Sequence, residues 1–120
     1  MDTSNMLKMN EDLEGALKAY LVLLDEGEYF EAHEVMEEAW HPLRLSDHPL
    51  KNLVKGLINS AVSFEHLKRN RKDAARKALR VMESYEKHKG IYSDEIEFAL
   101  LFKKACEKIE KLKSEHPGVF

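Results

Sequence analysis

Residues 50–64 read LKNLVKGLINSAVSF, and their apolar side chains recur every three or four positions. This spacing places the apolar side chains on one broad face of an α-helix, which other elements must cover. The stretch therefore predicts the central helix of the fold, with a buried face formed by Leu50, Leu53, Val54, Leu57, Ile58, Ala61 and Phe64.

The same helical spacing recurs on both sides of the central helix and predicts an all-α fold of about five helices. Because their connections are only a few residues long, neighbouring helices should form antiparallel hairpins in one compact bundle. We expect a single domain over residues 1–120, since a chain of this length suits one hydrophobic core. The predicted helices begin near Asn10, Glu28, Ser46 or Asp47, Asp73 and Ser93, and they end near Gly27, His41, Lys68, Gly90 and Ser114.

Pro42 predicts the end of the second helix at His41, because a proline disfavours helical geometry for the residue before it. Residues 42–47 should then form a loop, and Ser46 or Asp47 should cap the third helix. The buried faces of the last two helices are predicted to be Ala75, Ala78, Leu79, Met82 and Tyr85, and Ile96, Ala99, Leu100, Cys106, Ile109 and Leu112.

A constant shift along the sequence aligns apolar residues of the first two helices with those of the third and fourth. Leu21 falls on Phe64, and Ala32 falls on Ala75. Two interpretations stay open, since any two amphipathic hairpins share such a plan and a pair of tetratricopeptide-like units would show it as well.

The composition excludes several classes of protein. The 120 residues carry 43% hydrophobic and 34% charged side chains, which is typical of a globular helical protein. A formal net charge of -3 gives no overall field that would draw the chain to nucleic acid or to an anionic membrane.

Cys106 is the single cysteine, which excludes an internal disulfide. Because there is also no secretory signal and no apolar run long enough to span a membrane, we expect a cytoplasmic protein.

Residues 28–41, EYFEAHEVMEEAWH, form the helix that is richest in chemically active groups. His33 and Glu37 are separated by about one helical turn and lie at the edge of the apolar face, beside Trp40. We therefore predict that these two side chains are half-buried, in contact, and placed where a cleft would be lined. Glu34 lies about 100° further round the helix, towards its open face.

The central helix adds polar residues to this region. Asn59 and His66 share a stripe beside the apolar face. Glu65 falls within the apolar face itself, where an unpaired carboxylate is costly. Glu65 should therefore have a partner, and the candidates are His33, Tyr20 or a bound cation.

These motifs resemble a small helical family catalogued as domain of unknown function 309. The resemblance covers about residues 13–85 and rests on EYFEAHEVMEEAW at 28–40, GLIN at 56–59 and HLKR at 66–69. It implies a helical fold and draws attention to the residues that match the family pattern, which are His33, Glu34, Glu37, Trp40 and His66. The chain departs from that pattern at Asn59, where the family has glutamine, and at Asn70 and Arg71, where it has a Gly-Asn turn. The family has no established function, so the resemblance implies no activity.

The sequence leaves two functions open, and both use the same residues. In the first, the chain is a non-catalytic binding or interaction module for an unknown protein or small-molecule ligand. Its cleft lies between the second and third helices and is lined by His33, Glu37, Trp40, Asn59 and His66. The same side chains would also be explained by a polar network that only holds the two helices together.

In the second, the chain is a metal-dependent, hydrolase-like enzyme with a divalent zinc, manganese or iron ion as its cofactor. His33, Glu37 and Glu65 are the candidate ligands, and Glu34 is the candidate general base. The His-Glu-x-x-Glu order lacks the second histidine of a zincin. The chain has one Glu-x-x-His motif, at residues 38–41, whereas a di-iron bundle requires one on each of two helices.

Residues 68–72, KRNRK, form a basic stretch between the third and fourth helices. Such a stretch is usually a solvated turn, and this one lacks the interleaved aromatic side chains on which bases stack. Nucleic acid and membrane are therefore not expected as partners, whereas association of the chain with copies of itself is left open.

Overall fold

The computed structural model describes residues 4–91 and 98–120, with side chains from Leu13 onward. Every regular element in these ranges is an α-helix, which confirms the predicted all-α bundle. α4 and α5 are separated by Met82 alone and together correspond to the predicted fourth helix. The helices are α1 (Ser4–Asp25), α2 (Tyr29–Leu45), α3 (Lys51–Lys68), α4 (Ala74–Val81), α5 (Glu83–His88) and α6 (Ala99–Ser114).

α3 is the central helix, as its apolar face predicts, and all the side chains of that face are buried. It packs against α2 and also against α4 and α5, while α1 packs against α2 to complete the two predicted hairpins. Their relation to tetratricopeptide units stays a prediction. One cluster of buried side chains continues from α1 through α3 into α6, where its members are Phe102, Ala105, Cys106 and Ile109.

α2 runs past Pro42 to Leu45, so the predicted helix end at His41 and the predicted loop over residues 42–47 are wrong. A proline removes one backbone hydrogen bond but leaves the next turn intact, because its own carbonyl still accepts from the N–H of Ser46 at 3.1 Å. The helix is terminated instead by Asp47, whose left-handed backbone (φ 54°) follows the last turn.

Ser46 and Asp47 belong to this helix end and do not cap α3, contrary to the prediction. The Ser46 hydroxyl donates to the carbonyl of Pro42 at 2.9 Å, and the Asp47 carboxylate pairs with Lys51. α3 itself begins without a side-chain cap. The additional turn of α2 lengthens the seam along which α2 and α3 pack.

The buried faces of the later helices differ in part from the prediction. Ala75 and Leu79 on α4 are exposed, and so is Leu100 on α6, which is 64% exposed. At about 100° per residue, Leu100 lies on the side of α6 opposite to the buried Ile109, so the two side chains cannot both face the core. The side chains that α4, α5 and the residue between them bury are Ala74, Ala78, Met82 and Tyr85.

α6 is the described part of the predicted fifth helix, and it ends at Ser114 as expected. The predicted cap Ser93 and the predicted core residue Ile96 lie outside the described residues. None of the described helices combines the length and the apolar character needed to cross a membrane.

Candidate functional site

A cavity of about 250 Å³ lies between α2 and α3 and opens to solvent. We call it the α2–α3 cavity. Its aromatic and apolar lining comes from Tyr29, Phe30 and Val62, and its polar lining comes from His33, Glu65, His66, Arg69 and Arg71. It therefore combines apolar surface with a few charged or imidazole groups, as small-ligand sites do.

The helical repeat explains why these residues meet. Side chains three or four residues apart share one face of a helix, so each helix contributes a line of side chains to the seam. Phe30 and His33 belong to the line on α2, and Val62, His66 and Arg69 belong to the line on α3. Because α2 and α3 run antiparallel, the start of α2 faces the end of α3.

His33 is held by two oxygen acceptors. Its Nε2 atom lies 2.9 Å from the Glu37 carboxylate, and its Nδ1 atom lies 3.1 Å from the backbone carbonyl of Phe30. The predicted contact between His33 and Glu37 is confirmed, with their side chains 23% and 44% exposed. Because a neutral imidazole has one N–H, it can donate to only one of these two oxygens, whereas an imidazolium donates to both.

The partner of Glu65 is Arg69, whereas the sequence predicted His33, Tyr20 or a bound cation. The Nε of Arg69 donates to the half-buried Glu65 carboxylate at 2.6 Å, one turn further along α3. The Tyr20 hydroxyl donates instead to the backbone carbonyl of Leu57 at 2.7 Å. An arginine on the same helix is a sufficient partner because residues four apart are neighbours on the helix surface.

His66 accepts a hydrogen bond beside the cavity. The Nη1 of Arg71 lies 3.2 Å from the Nδ1 of His66, which accepts the bond because a guanidinium can only donate. Burial lowers the pKa of His66, and the positive charges of Arg71, Lys77 and Arg69 lower it further. The imidazole is therefore neutral near pH 7, so it retains the acceptor that Arg71 uses.

The seam between α2 and α3 continues beyond the cavity to Trp40. This indole is half-buried, with the Lys55 ammonium 4.5 Å and the Arg44 guanidinium 5.2 Å from a ring centroid. A cation over an aromatic face is attracted by the negative charge density of that face. Lys55 belongs to α3, so its cation–π contact helps to hold α3 against α2, whereas Arg44 lies on α2 with Trp40.

The α2–α3 cavity gathers only some of the residues that the sequence assigned to one cleft. His33 and His66 border it, and so does the metal candidate Glu65. Glu34, the candidate general base, is exposed and does not border it. The predicted cleft residues that lie along the α2 or α3 helix but outside the cavity are Glu37, Trp40 and Asn59.

Sequence reasoning missed several residues that line the cavity, among them Phe30, Val62 and Arg69. The four-residue spacing of Glu65 and Arg69 was a usable signal, because such pairs meet on a helix. Phe30 gave a second signal as an aromatic side chain next to the polar edge of α2, where it is 46% exposed. Val62 required the register of α3 against α2, which no local pattern supplies.

The described residues contain no group of three or more His, Cys, Asp or Glu side chains that could hold a metal ion. His33 and Glu37 pair with each other, and Glu65 pairs with Arg69. A zinc, manganese or iron site on His33, Glu37 and Glu65 stays a prediction that thermal unfolding can test.

Replacing His33 by alanine is expected to lower the free energy of unfolding by at most about 1 kcal/mol, because Glu37 is exposed enough to be hydrated without its partner. The wild-type melting temperature should be the same in zinc, in manganese and in EDTA. If the wild-type melting temperature rises with metal concentration and that of His33→Ala does not, the metal site is established instead.

The chain belongs to the family described as a domain of unknown function (DUF309), because the sequence model of that family matches residues 17–78, more than half of the chain. The match includes α2, α3 and the residues up to 78, and therefore every residue of the α2–α3 cavity. The resemblance seen in the sequence is thus confirmed. No curated protein and no solved structure matches the chain.

Proposed function

We propose that the chain is a non-catalytic binding or interaction module of the cytoplasm, and that the α2–α3 cavity is its binding site. The observation that carries this proposal is the lining of the cavity, where Tyr29, Phe30 and Val62 provide apolar surface beside imidazole and guanidinium groups. In sites of this kind, apolar walls bury most of the ligand and a few polar groups orient it.

The polar side chains around the cavity are engaged with one another, which favours binding over catalysis. A general base must have an acceptor atom that can reach a substrate, and a nucleophile needs such a base beside it. Here each imidazole and carboxylate group that borders the cavity already has a partner within the chain. The pairs are His33 with Glu37, Glu65 with Arg69, and His66 with Arg71.

Cys106 supports the same proposal. Its thiol is buried on α6 and does not border the α2–α3 cavity. Burial raises the pKa of the thiol, so it stays protonated at neutral pH and is a poor nucleophile. A free cysteine is also compatible with the reducing conditions of the cytoplasm.

Filling the cavity should weaken the binding of small aromatic ligands. In ¹H–¹⁵N spectra of the labelled chain, we expect benzoate, indole or phenol to shift the amide signals of Phe30, His33 and His66. Val62→Trp places a large side chain in the cavity and should weaken this binding at least about tenfold. Val22→Trp is the matched control, because Val22 is 54% exposed on α1 and lies outside the cavity.

Melting temperatures of both tryptophan variants establish that they remain folded. Binding that persists unchanged in Val62→Trp would reject the α2–α3 cavity as the site. The same conclusion would follow from ligand-induced shifts that are confined to α1 or α6.

A further inference from the structure

We infer that the exposed side of α3 is an interaction surface for an acidic polypeptide segment, which lies along α3 from Lys55 to the α2–α3 cavity. This inference rests on the proposed function, because it names the partner of the same binding region. It is carried by the position, the charges and the length of that surface.

The surface is a line of four half-buried side chains, which we call the α3 strip. Lys55, Asn59, Val62 and His66 are spaced by three or four residues, so they lie on one face of the helix. All the other side chains of α3 from residue 53 to residue 64 are buried. Between residues 53 and 64, a partner can therefore reach only side chains of the α3 strip.

Helices on both sides flank the α3 strip, since α3 packs against α2 as well as against α4 and α5. On the α2 side, Trp40 contacts Lys55. On the α4 side, the Ser63 hydroxyl of α3 donates to the backbone carbonyl of Ala78 at 3.1 Å. A segment that lies along the strip would therefore contact neighbouring helices in addition to α3.

Cations along the α3 strip have aromatic or imidazole partners instead of carboxylates. Lys55 and Arg44 contact the ring of Trp40, and Arg71 donates to His66. Within the part of the chain that the structure describes, none of these three cations forms an ion pair. Carboxylates are not scarce in the chain, because its 22 acidic side chains outnumber its 19 basic ones. Their charge is therefore available to an acidic partner.

Two carboxylates beside the α2–α3 cavity, Glu37 and Glu65, already have partners within the chain. Glu37 lies 2.9 Å from His33, and Glu65 lies 2.6 Å from Arg69. An acidic segment would meet the positive charges of Lys55 and Arg71 at the two ends of the strip. Charge complementarity thus selects an acidic occupant for the strip.

The length of the strip favours a chain over a compact molecule. At 1.5 Å per residue, the backbone positions of Lys55 and His66 are about 16 Å apart. A molecule that fits a cavity of about 250 Å³ does not reach across this distance. An extended polypeptide covers it with about five residues, which can place an apolar side chain in the cavity and carboxylates near both ends.

A nucleic-acid strand fits the strip less well. Every nucleotide carries a phosphate, so phosphates between the two ends of the strip would lie against the uncharged Asn59 and Val62. A polypeptide can carry its carboxylates only where the cations lie. An acidic polypeptide is therefore the better match to the charge pattern.

The test uses the full ¹⁵N-labelled chain and two capped nonapeptides. One peptide has two glutamates at each end of Ala-Leu-Ala-Leu-Ala, and the matched peptide has glutamines in those positions. We expect the glutamate peptide to shift the amide signals of the α3 strip and to bind at least about tenfold more tightly than the glutamine peptide. Added salt should weaken its binding, because these charges are close to solvent.

Matched double variants distinguish the effect of the strip's charges on binding from the effect of the protein's net charge. Lys55→Gln combined with Arg71→Gln should weaken the glutamate peptide about tenfold, since each exposed charge pair contributes a few-fold. Lys103→Gln combined with Lys104→Gln makes the same charge change at exposed positions of α6 and should leave the affinity unchanged. Equal weakening by both double variants would overturn the assignment to the α3 strip.

Other occupants give distinct results in the same experiment. Tighter binding of a single-stranded oligothymidine than of the glutamate peptide would overturn the inference in favour of nucleic acid. Shifts of the strip signals with protein concentration alone would assign the strip to a second copy of the chain. If neither peptide binds while benzoate or indole still binds in the cavity, the acidic partner is wrong and the proposed function stands.

Discussion

Replacing Gly56 by alanine is expected to lower the free energy of unfolding by about 3 kcal/mol. At this position α3 approaches α5 so closely that an added Cβ atom would lie 2.6 Å from the Cα of Tyr85 and 2.8 Å from its backbone nitrogen. Both are backbone atoms, so no change of side-chain rotamer relieves the overlap. α5 would have to move as a unit, and the packing of the buried Tyr85 would be lost with it.

Gly15→Ala is the matched control for this prediction. Gly15 lies in α1, and a Cβ atom added there would meet no atom within 4 Å. Alanine should therefore stabilise the helix by about 0.5 to 1 kcal/mol. Urea unfolding of the wild type and both variants measures the two effects, and a Gly56→Ala variant as stable as the wild type would refute the close approach of α3 and α5.

Replacing Phe102 by alanine is expected to cost about 3 to 5 kcal/mol, because its ring is fully buried in α6 and its removal leaves a cavity in the core. α6 lies outside the stretch that matches the family, residues 17–78. A loss of this size would show that the stability of the family-like region depends on a helix beyond it.

Leu100→Ala provides the comparison on the same helix. Leu100 is 64% exposed, so its truncation should change the free energy of unfolding by no more than about 0.5 kcal/mol. The two variants are compared by urea unfolding under identical conditions. A larger loss for Leu100→Ala than for Phe102→Ala would mean that α6 presents to the core the face first expected from its sequence.

The central helix could be predicted in detail because its pattern is local and unambiguous. All the apolar residues expected on the inner face of α3 are buried, from Leu50 to Phe64. The ends of the neighbouring helix were less predictable. Pro42 predicts a helix end at His41, but a proline close to a helix end removes only one hydrogen bond, and the left-handed Asp47 terminates the helix instead.

The candidate site shows the same division between local and long-range information. The contact of His33 with Glu37 followed from their spacing on one helix and is confirmed at 2.9 Å. The fit of Gly56 against Tyr85 depends on how two separate helices approach, so no pattern within either helix predicts it. The position of Val62 in the cavity could not be predicted for the same reason, since the register between α2 and α3 decides which side chains meet.

The binding site is tested most directly by intermolecular nuclear Overhauser effects between a bound ligand and ¹³C-labelled valine methyl groups. Val62 lines the α2–α3 cavity, whereas Val35 borders a separate groove between α1 and α2. With indole or the glutamate peptide bound, we predict cross-peaks to the methyl groups of Val62 and none to those of Val35. Cross-peaks to Val35 without any to Val62 would contradict the account.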